Sequence, residues 1–141
     1  MTAFFDTNLL VYLFDSSSPE KQGKAREVFS ERAQRDEVLL STQVLQEFYV
    51  TVTLKLASPL SSDQAERLVR DFAAFPVVAT DAPLVLAAVA LSRRYRLSLW
   101  DAMIIVAARA GGATELLTED LQHGQVLEGV RILNPFRPPP A

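Results

Sequence analysis

Short apolar segments alternate with longer amphipathic ones along almost the whole chain, and this alternation constrains the fold most strongly. Five short runs have the composition of buried strands: residues 2–5, 38–40, 77–79, 115–117 and 130–133. The segments between them carry apolar residues at helical spacing. Alternating strands and helices predict βαβ units, and therefore an α/β fold with helices on both faces of a central parallel sheet of four to five strands.

Local signals indicate where the helices begin. We expect helices near residues 9–14, 19–34, 43–56, 62–75, 82–95 and 101–110. Ser61 and Gln64 have the spacing of a capping box. Asp81 followed by Pro83 is typical of a helix N-terminus. Residues 102–108 are apolar nearly all round the helix, which predicts that this last helix is buried.

The composition narrows the class of protein. A chain of 141 residues fits one domain, which we place at residues 1–134, followed by a proline-rich tail at 135–141. The absence of Cys and the single His argue against disulfides and against a zinc site. The apolar runs are too short to span a bilayer, and no basic residue precedes Lys21, so we expect a cytoplasmic protein with no membrane partner.

The net charge of −3 argues against a simple basic nucleic-acid-binding module. It does not argue against a nuclease, because cations bound to a group of acids change the local sign of the charge.

Four acidic residues from separate parts of the chain are predicted to meet at one edge of the sheet. Asp6 ends the first strand and Asp120 follows the fourth. Asp101 begins the buried helix, and Glu47 lies beside the apolar stripes of another helix. Open α/β sheets bind ligands at the carboxyl ends of their strands. Clustered acids raise one another's pKa, and a hard cation such as Mg²⁺, which prefers oxygen ligands, relieves that conflict.

Each acid also has a structural explanation. Asp101 taken alone is a typical helix N-cap. Asp6 and Asp120 are common turn residues that hydrogen-bond their own backbone. Glu47 taken alone is typical of a solvated helix surface. The metal-site hypothesis therefore depends on the set of four rather than on any one member.

Other candidate residues carry weaker signals. His123, the single imidazole, is typical of a surface turn. No phosphate-binding or dinucleotide-binding glycine motif is present. The densest basic cluster is formed by Arg93, Arg94, Tyr95 and Arg96. Its arginines are candidates for RNA binding, although cations are also favoured at a helix C-terminus.

Taken together, these motifs resemble those of the PIN-domain ribonucleases, particularly the VapC toxins of type II toxin–antitoxin modules. The similarity covers essentially the whole chain. It lies in the order and spacing of Phe5-Asp6-Thr7-Asn8, the helical Glu47, Leu99-Trp100-Asp101-Ala102 and Leu117-Thr118-Glu119-Asp120-Leu121. It implies a three-layer α/β/α sandwich.

The resemblance also implies roles for individual residues. Asp6, Glu47, Asp101 and Asp120 would be the catalytic, metal-binding acids, and Glu119 is an alternative to Asp120. Supporting hydrogen bonds would come from three small polar residues: Thr7, Asn8 and Thr118. The implied cofactor is Mg²⁺, with Mn²⁺ as its substitute, and the implied reaction is hydrolysis of RNA by metal-activated water.

The partners implied by the resemblance are an RNA substrate, a VapB-type antitoxin and a second copy of the chain in a homodimer. Alternatives stay open at this point. One is a housekeeping PIN nuclease without an antitoxin. A second is a phosphatase-like hydrolase with Asp6 as nucleophile, although Asn8 stands where such enzymes usually carry a second Asp. A third is a non-catalytic binding module whose acids are caps and surface charges.

Overall fold

The computed structural model describes residues 1–137, which form a central, mostly parallel sheet with helices packed against it. The strands are β1 (Ala3–Phe5), β2 (Val38–Ser41), β3 (Val77–Val78), β4 (Glu115–Leu117), β5 (Val126–Leu127) and β6 (Val130–Leu133). The helices are α1 (Thr7–Tyr12), α2 (Pro19–Gln34), α3 (Thr42–Leu54), α4 (Ser62–Ala73), α5 (Ala82–Tyr95) and α6 (Leu99–Ala110). The α/β prediction is confirmed.

The sheet has the strand order β3-β2-β1-β4-β6-β5. All neighbouring pairs are parallel except β5 with β6. The five predicted strands form the parallel part of the sheet, and β5 adds a sixth, antiparallel strand that the sequence did not predict. Glu128 and Gly129 join β5 to β6 with φ values of 50° and 81°, and two positive φ values are typical of a tight hairpin turn. The two apolar residues of β5 lie between Gln125 and Glu128, whereas the equally short β3 lies within a longer apolar run.

The core lies on the sheet and under α1, α3 and α6. Phe4, Phe5, Leu40, Leu116 and Ile132 on the strands are completely buried. Strands buried on both faces read as continuous apolar runs, which is why the sequence identified them. Phenylalanine rings from several elements pack edge to face beside the sheet: Phe5, Phe14, Phe29, Phe48, Phe72 and Phe75.

The ends of the helices confirm two predictions and correct a third. The Ser61–Gln64 capping box and the Asp81 N-cap are both present. The N-cap of α6, however, is Ser98, whose hydroxyl accepts from the backbone N–H of Asp101. Asp101 therefore lies in the first turn of α6, and the explanation that it serves as an N-cap is wrong.

The chain stays packed against the domain beyond residue 134. The ring of Phe136, which we assigned to the proline-rich tail, lies 5.0 Å from the ring of Tyr12 in an edge-to-face contact. Ordered packing thus extends into the first part of the predicted tail, and residues 138–141 lie outside the described part of the chain. Among residues 1–137, no helix has both the length and the apolar character needed to cross a bilayer.

Candidate active site

Asp6 lies where β1 ends beside β4. Phe5 pairs with Leu117, so Asp6 and Thr118 are neighbours at the carboxyl edge of the sheet. Thr118 Oγ1 donates to Asp6 Oδ2 at 2.7 Å, and the Thr7 backbone N–H donates to Oδ1 at 2.7 Å. The residue is only 7% exposed. Both carboxylate oxygens are therefore held in place in a largely dry position.

Burial raises the pKa of Asp6 to about 6, from an ordinary value of 3.8. The hydrogen bonds from Thr118 and Thr7 oppose this effect because they favour the charged form. The negative charges of Asp120 and Glu47 raise the pKa further. Asp6 is thus a carboxylate whose ionisation would be favoured by positive charge placed close to it.

Glu47 is fixed by two side chains, one on each oxygen. Thr7 Oγ1 donates to Oε2 at 2.9 Å, and Gln43 Nε2 donates to Oε1 at 2.8 Å. Thr7 follows Asp6 directly, so the start of α1 holds both acids. The description of Glu47 as a freely solvated helix acid does not fit these contacts.

Gln43 is a residue that the sequence analysis missed. Its side chain is buried, at 5% exposure, and Nε2 also lies 3.4 Å from the carbonyl oxygen of Trp100. It therefore links Glu47 on α3 to the first turn of α6, which carries Asp101. The one available signal was the i,i+4 spacing of Gln43 and Glu47, which places both on one face of a helix.

Asp120 is held by hydrogen bonds with Asn8 and Thr118. Asn8 Nδ2 donates to Asp120 Oδ2 at 3.0 Å, and the Asp120 backbone N–H donates to Thr118 Oγ1 at 3.1 Å. Burial raises the pKa of Asp120, the hydrogen bond from Asn8 lowers it, and nearby negative charges, including those of Asp101 and Glu47, raise it. The four acids therefore share one electrostatic environment.

The neighbouring acid, Glu119, points to different partners. Tyr12 donates its hydroxyl proton to Oε1 at 2.6 Å, and Lys21 Nζ lies 2.9 Å from Oε2. Both oxygens of Glu119 are engaged in this ion-paired cluster, whereas Asp120 is bonded to Asn8. The geometry supports Asp120 as the fourth acid of the site.

The remaining candidates that have hydrogen-bond or ion-pair partners bind groups other than the four acids. His123 is exposed, and its Nδ1 accepts from the backbone N–H of Asn134, as in a surface turn. Arg94 pairs with Glu128, which also pairs with Arg109. Within residues 1–137, no hydrogen bond or ion pair joins Arg93, Arg94 or Arg96 to the four acids of the site, and RNA binding by these arginines stays a prediction.

Comparison with known proteins identifies the family. A model of the PIN domain family matches residues 3–127. The chain belongs to the PIN domain family. Among curated protein sequences, none matches this one.

Several solved structures share the fold of this PIN domain. A toxin–antitoxin complex from Klebsiella pneumoniae has 23% identity and a TM-score of 0.71, covering 96% of this chain and 98% of the other. VapC20 of Mycobacterium tuberculosis, a toxin that cleaves the sarcin–ricin loop, has 18% identity and a TM-score of 0.64, covering 82% and 87%. VapBC2 of Rickettsia felis, bound to promoter DNA, has 17% identity and a TM-score of 0.64, covering 94% and 97%.

The donor atoms of this PIN domain suit a hard cation. They are carboxylate oxygens, the type that Mg²⁺ prefers, and the buried Asn8 Oδ1 has no hydrogen-bond partner in the described residues. Within residues 1–137, no three acidic, His or Cys side chains are close enough together to form a ready-made metal cluster. Thr118 and Asn8 instead bridge Asp6 and Asp120, which keeps the like charges apart.

Proposed function

We propose that this PIN domain is a magnesium-dependent endoribonuclease and the toxin of a VapBC-type toxin–antitoxin module. The observation that carries the proposal is the position of Asp6. It is a buried acid with a raised pKa, held by Thr118 where two parallel strands end, and it lies within electrostatic range of other carboxylates. Such an arrangement is costly for folding, which supports a role in binding positive charge.

Asp6, Glu47, Asp101 and Asp120 would hold the cation, with Mn²⁺ as a possible substitute for Mg²⁺. When bound, the cation would supply Lewis-acid polarisation of a phosphate and lower the pKa of water. The chain's own contribution is to hold the acids in place. Supporting hydrogen bonds come from Thr7 to Glu47, from Thr118 to Asp6 and from Asn8 to Asp120. No side chain is required as a nucleophile, which agrees with the absence of Cys and with the hydrogen bond that His123 accepts from the Asn134 backbone.

The structural neighbours support the toxin assignment, because they include toxins and toxin–antitoxin complexes. An apolar cleft of about 390 Å³, with Phe29 of α2 and Phe72 of α4 in its wall, supports an antitoxin partner. From the sequence, the apolar faces of the helices at 19–34 and 43–56 are candidates for lining a partner groove, with core packing as the default; α2 contributes to this cleft, whereas α3 does not line it. An amphipathic antitoxin helix is the kind of partner that such a cleft accommodates.

Exposed apolar side chains on two helices support a homodimer. Val50 and Leu54 lie one turn apart on α3, and Leu86 and Val89 lie one turn apart on α5. Leu54 and Leu86 are 75% and 70% exposed. Large exposed apolar patches are rare on monomeric proteins and often mark an interface with another protein. Light scattering of the purified protein tests this part of the proposal.

Cleavage of RNA with and without Mg²⁺ tests the activity. We expect the wild-type protein to cut RNA only with the cation, and the Asp6→Ala and Asp101→Ala variants to lose at least a hundredfold in rate, as expected when charge stabilisation at a reacting phosphate is removed. Gln46→Ala, an exposed change on α3, is the control. Variants that cut as well as the wild type would show that the acids have another role.

The antitoxin requires a separate test, because a housekeeping PIN nuclease would also cut RNA. A small adjacent reading frame that encodes a DNA-binding N-terminus favours the toxin. Co-expression of that product with this chain should yield a complex in which RNA cleavage is suppressed. An active nuclease with no such neighbour would favour the housekeeping alternative.

A further inference from the structure

A groove extends from the acidic site along α1 and α3. We call it the α1–α3 groove. It has a volume of about 370 Å³, within the range of about 300–1,000 Å³ that is typical of ligand pockets. The residues at its acidic end are Thr7, Asn8 and Asp120, and those farther along include Tyr12, Thr51 and Lys55. The groove is therefore continuous with the acidic site.

Helical spacing explains the direction of the groove. Thr51 and Lys55 follow Glu47 by four and eight residues, so the three side chains lie on one face of α3. Eight residues correspond to about 12 Å along a helix axis. Lys55 thus presents a positive charge two turns beyond the acids, on the same side of the domain.

Lys55 has no partner that accounts for its position. It is exposed, and no carboxylate among residues 1–137 lies within ion-pair distance of it. Asp15 lines the same groove, but its carboxylate accepts hydrogen bonds from the backbone N–H and the hydroxyl of Ser17. A lysine at the end of a helix is favoured by the helix dipole, but this does not explain its place in the wall of a groove that leads to four acids.

We propose that the α1–α3 groove is a binding subsite for single-stranded RNA, in which Lys55 contacts a backbone phosphate flanking the scissile one. This inference rests on the proposed ribonuclease function. The phosphate that reacts would lie at the acidic end, and the strand would continue toward Lys55, between α1 and the end of α3. The Tyr12 ring also lines the wall, but Phe136 and the Lys21 ammonium pack against it, so the contact proposed for the RNA is the phosphate at Lys55.

An acidic protein segment is the competing ligand for an unpaired lysine. The observations favour RNA because the groove shares three residues with the acidic site, where a substrate phosphate would be bound. An RNA strand bound at that site would place its neighbouring phosphates in the adjoining groove. An acidic peptide would have to bind beside Asp15 and Asp120 without that connection.

The test measures binding of a short fluorescein-labelled oligouridylate by anisotropy, with Mg²⁺ and at several salt concentrations. Asp101→Asn serves as the parent, so that cleavage does not interfere. We expect Lys55→Ala to weaken binding about two- to fivefold, as for an exposed ion pair. The slope of log affinity against log salt should fall in magnitude by about 0.7, as for one lost phosphate contact on a single strand. Lys55→Arg should retain the parent's values.

Lys24→Ala is the matched control, because Lys24 is an exposed lysine on α2 outside the groove and carries the same charge. It should bind as the parent does. In the cleaving background, Lys55→Ala should raise the protein concentration needed for half-maximal single-turnover cleavage by the same factor of about two to five.

Three outcomes would overturn the inference, and they separate it from the proposed function. If the wild type cleaves RNA while Lys55→Ala matches its parent in affinity and salt slope, the proposed function stands and the subsite is wrong. If Lys55→Ala loses affinity only for a polyglutamate peptide, the groove binds an acidic protein segment instead. If the wild type neither binds nor cleaves oligouridylate with Mg²⁺, both proposals fail.

Discussion

Thr118 Oγ1 donates a hydrogen bond to Asp6 Oδ2 over 2.7 Å, and the two residues are 112 positions apart in the chain. The bond joins the ends of β1 and β4, which are adjacent parallel strands. The same hydroxyl oxygen accepts from the backbone N–H of Asp120. One threonine therefore connects two of the proposed metal-binding acids, and it favours the charged form of Asp6.

Replacement of Thr118 by Val should reduce RNA cleavage near neutral pH. The hydrogen bond lowers the pKa of Asp6, so its loss raises that pKa and leaves less of the ionised carboxylate. We expect the rising limb of the pH–rate profile to move to higher pH. A hydrogen bond worth roughly 1.4 kcal/mol corresponds to about one pKa unit, so the rate should fall about twofold at about pH 7 and about tenfold at about pH 5. Thr114→Val, at an exposed position, should leave the profile unchanged.

Replacement of Asp6 by Asn should stabilise the metal-free protein at neutral pH. The pKa of Asp6 is raised from 3.8 to about 6 on folding, so between these values the folded state binds more protons than the unfolded state. Stability is therefore lost as pH rises through this window, by roughly 2–3 kcal/mol for a shift of this size. The Asn side chain avoids the buried charge.

Thermal unfolding in the presence of a chelator checks this expectation. The melting temperature of Asp6→Asn should exceed that of the wild type at about pH 7.5 and approach it at about pH 3, where Asp6 is largely protonated in both states. Equal melting temperatures at the higher pH would show that ionised Asp6 does not destabilise the fold.

Gln43 should act as a positioning residue for Glu47. Gln43→Ala removes the hydrogen bond to Oε1 and the contact with the Trp100 carbonyl. We expect the Mg²⁺ concentration for half-maximal cleavage to rise about tenfold, as for loss of a group that orients a metal ligand. Gln43→Glu should do no better, because it replaces the donor with a second negative charge. Loss of rate with unchanged Mg²⁺ dependence would contradict this role, and Gln46→Ala is the control.

Two adjacent acids should behave differently on conversion to amides. Asp120→Asn should weaken Mg²⁺ binding in calorimetry and lower cleavage about a hundredfold, since it removes a charge proposed to bind the cation. Glu119→Gln should keep the metal affinity and cost less than about 1 kcal/mol of stability, as for a partly exposed ion pair with Lys21. The reverse pattern would assign the fourth position to Glu119.

Much of the fold followed from local patterns. Strands such as β1, β2 and β4 are buried and read as apolar runs, and the start of α4 carries its own cap. Strand β5 did not follow from them, because its two apolar residues have polar neighbours on both sides, unlike the equally short β3. Asp101 was open to interpretation as an N-cap until Ser98 was found to occupy that position.

The sequence by itself determined the alternation of strands and helices, and therefore the edge of the sheet to which Asp6 and Asp120 are delivered. It could not choose between Glu119 and Asp120, because neighbouring acids after a strand are equivalent until the loop is folded. Only the tertiary structure decided that Lys21 and Tyr12 bind Glu119, while Asn8 binds Asp120. The reason is physical, since these contacts join residues about a hundred positions apart, and only the packing of α1 and α2 beside the end of β4 brings them together.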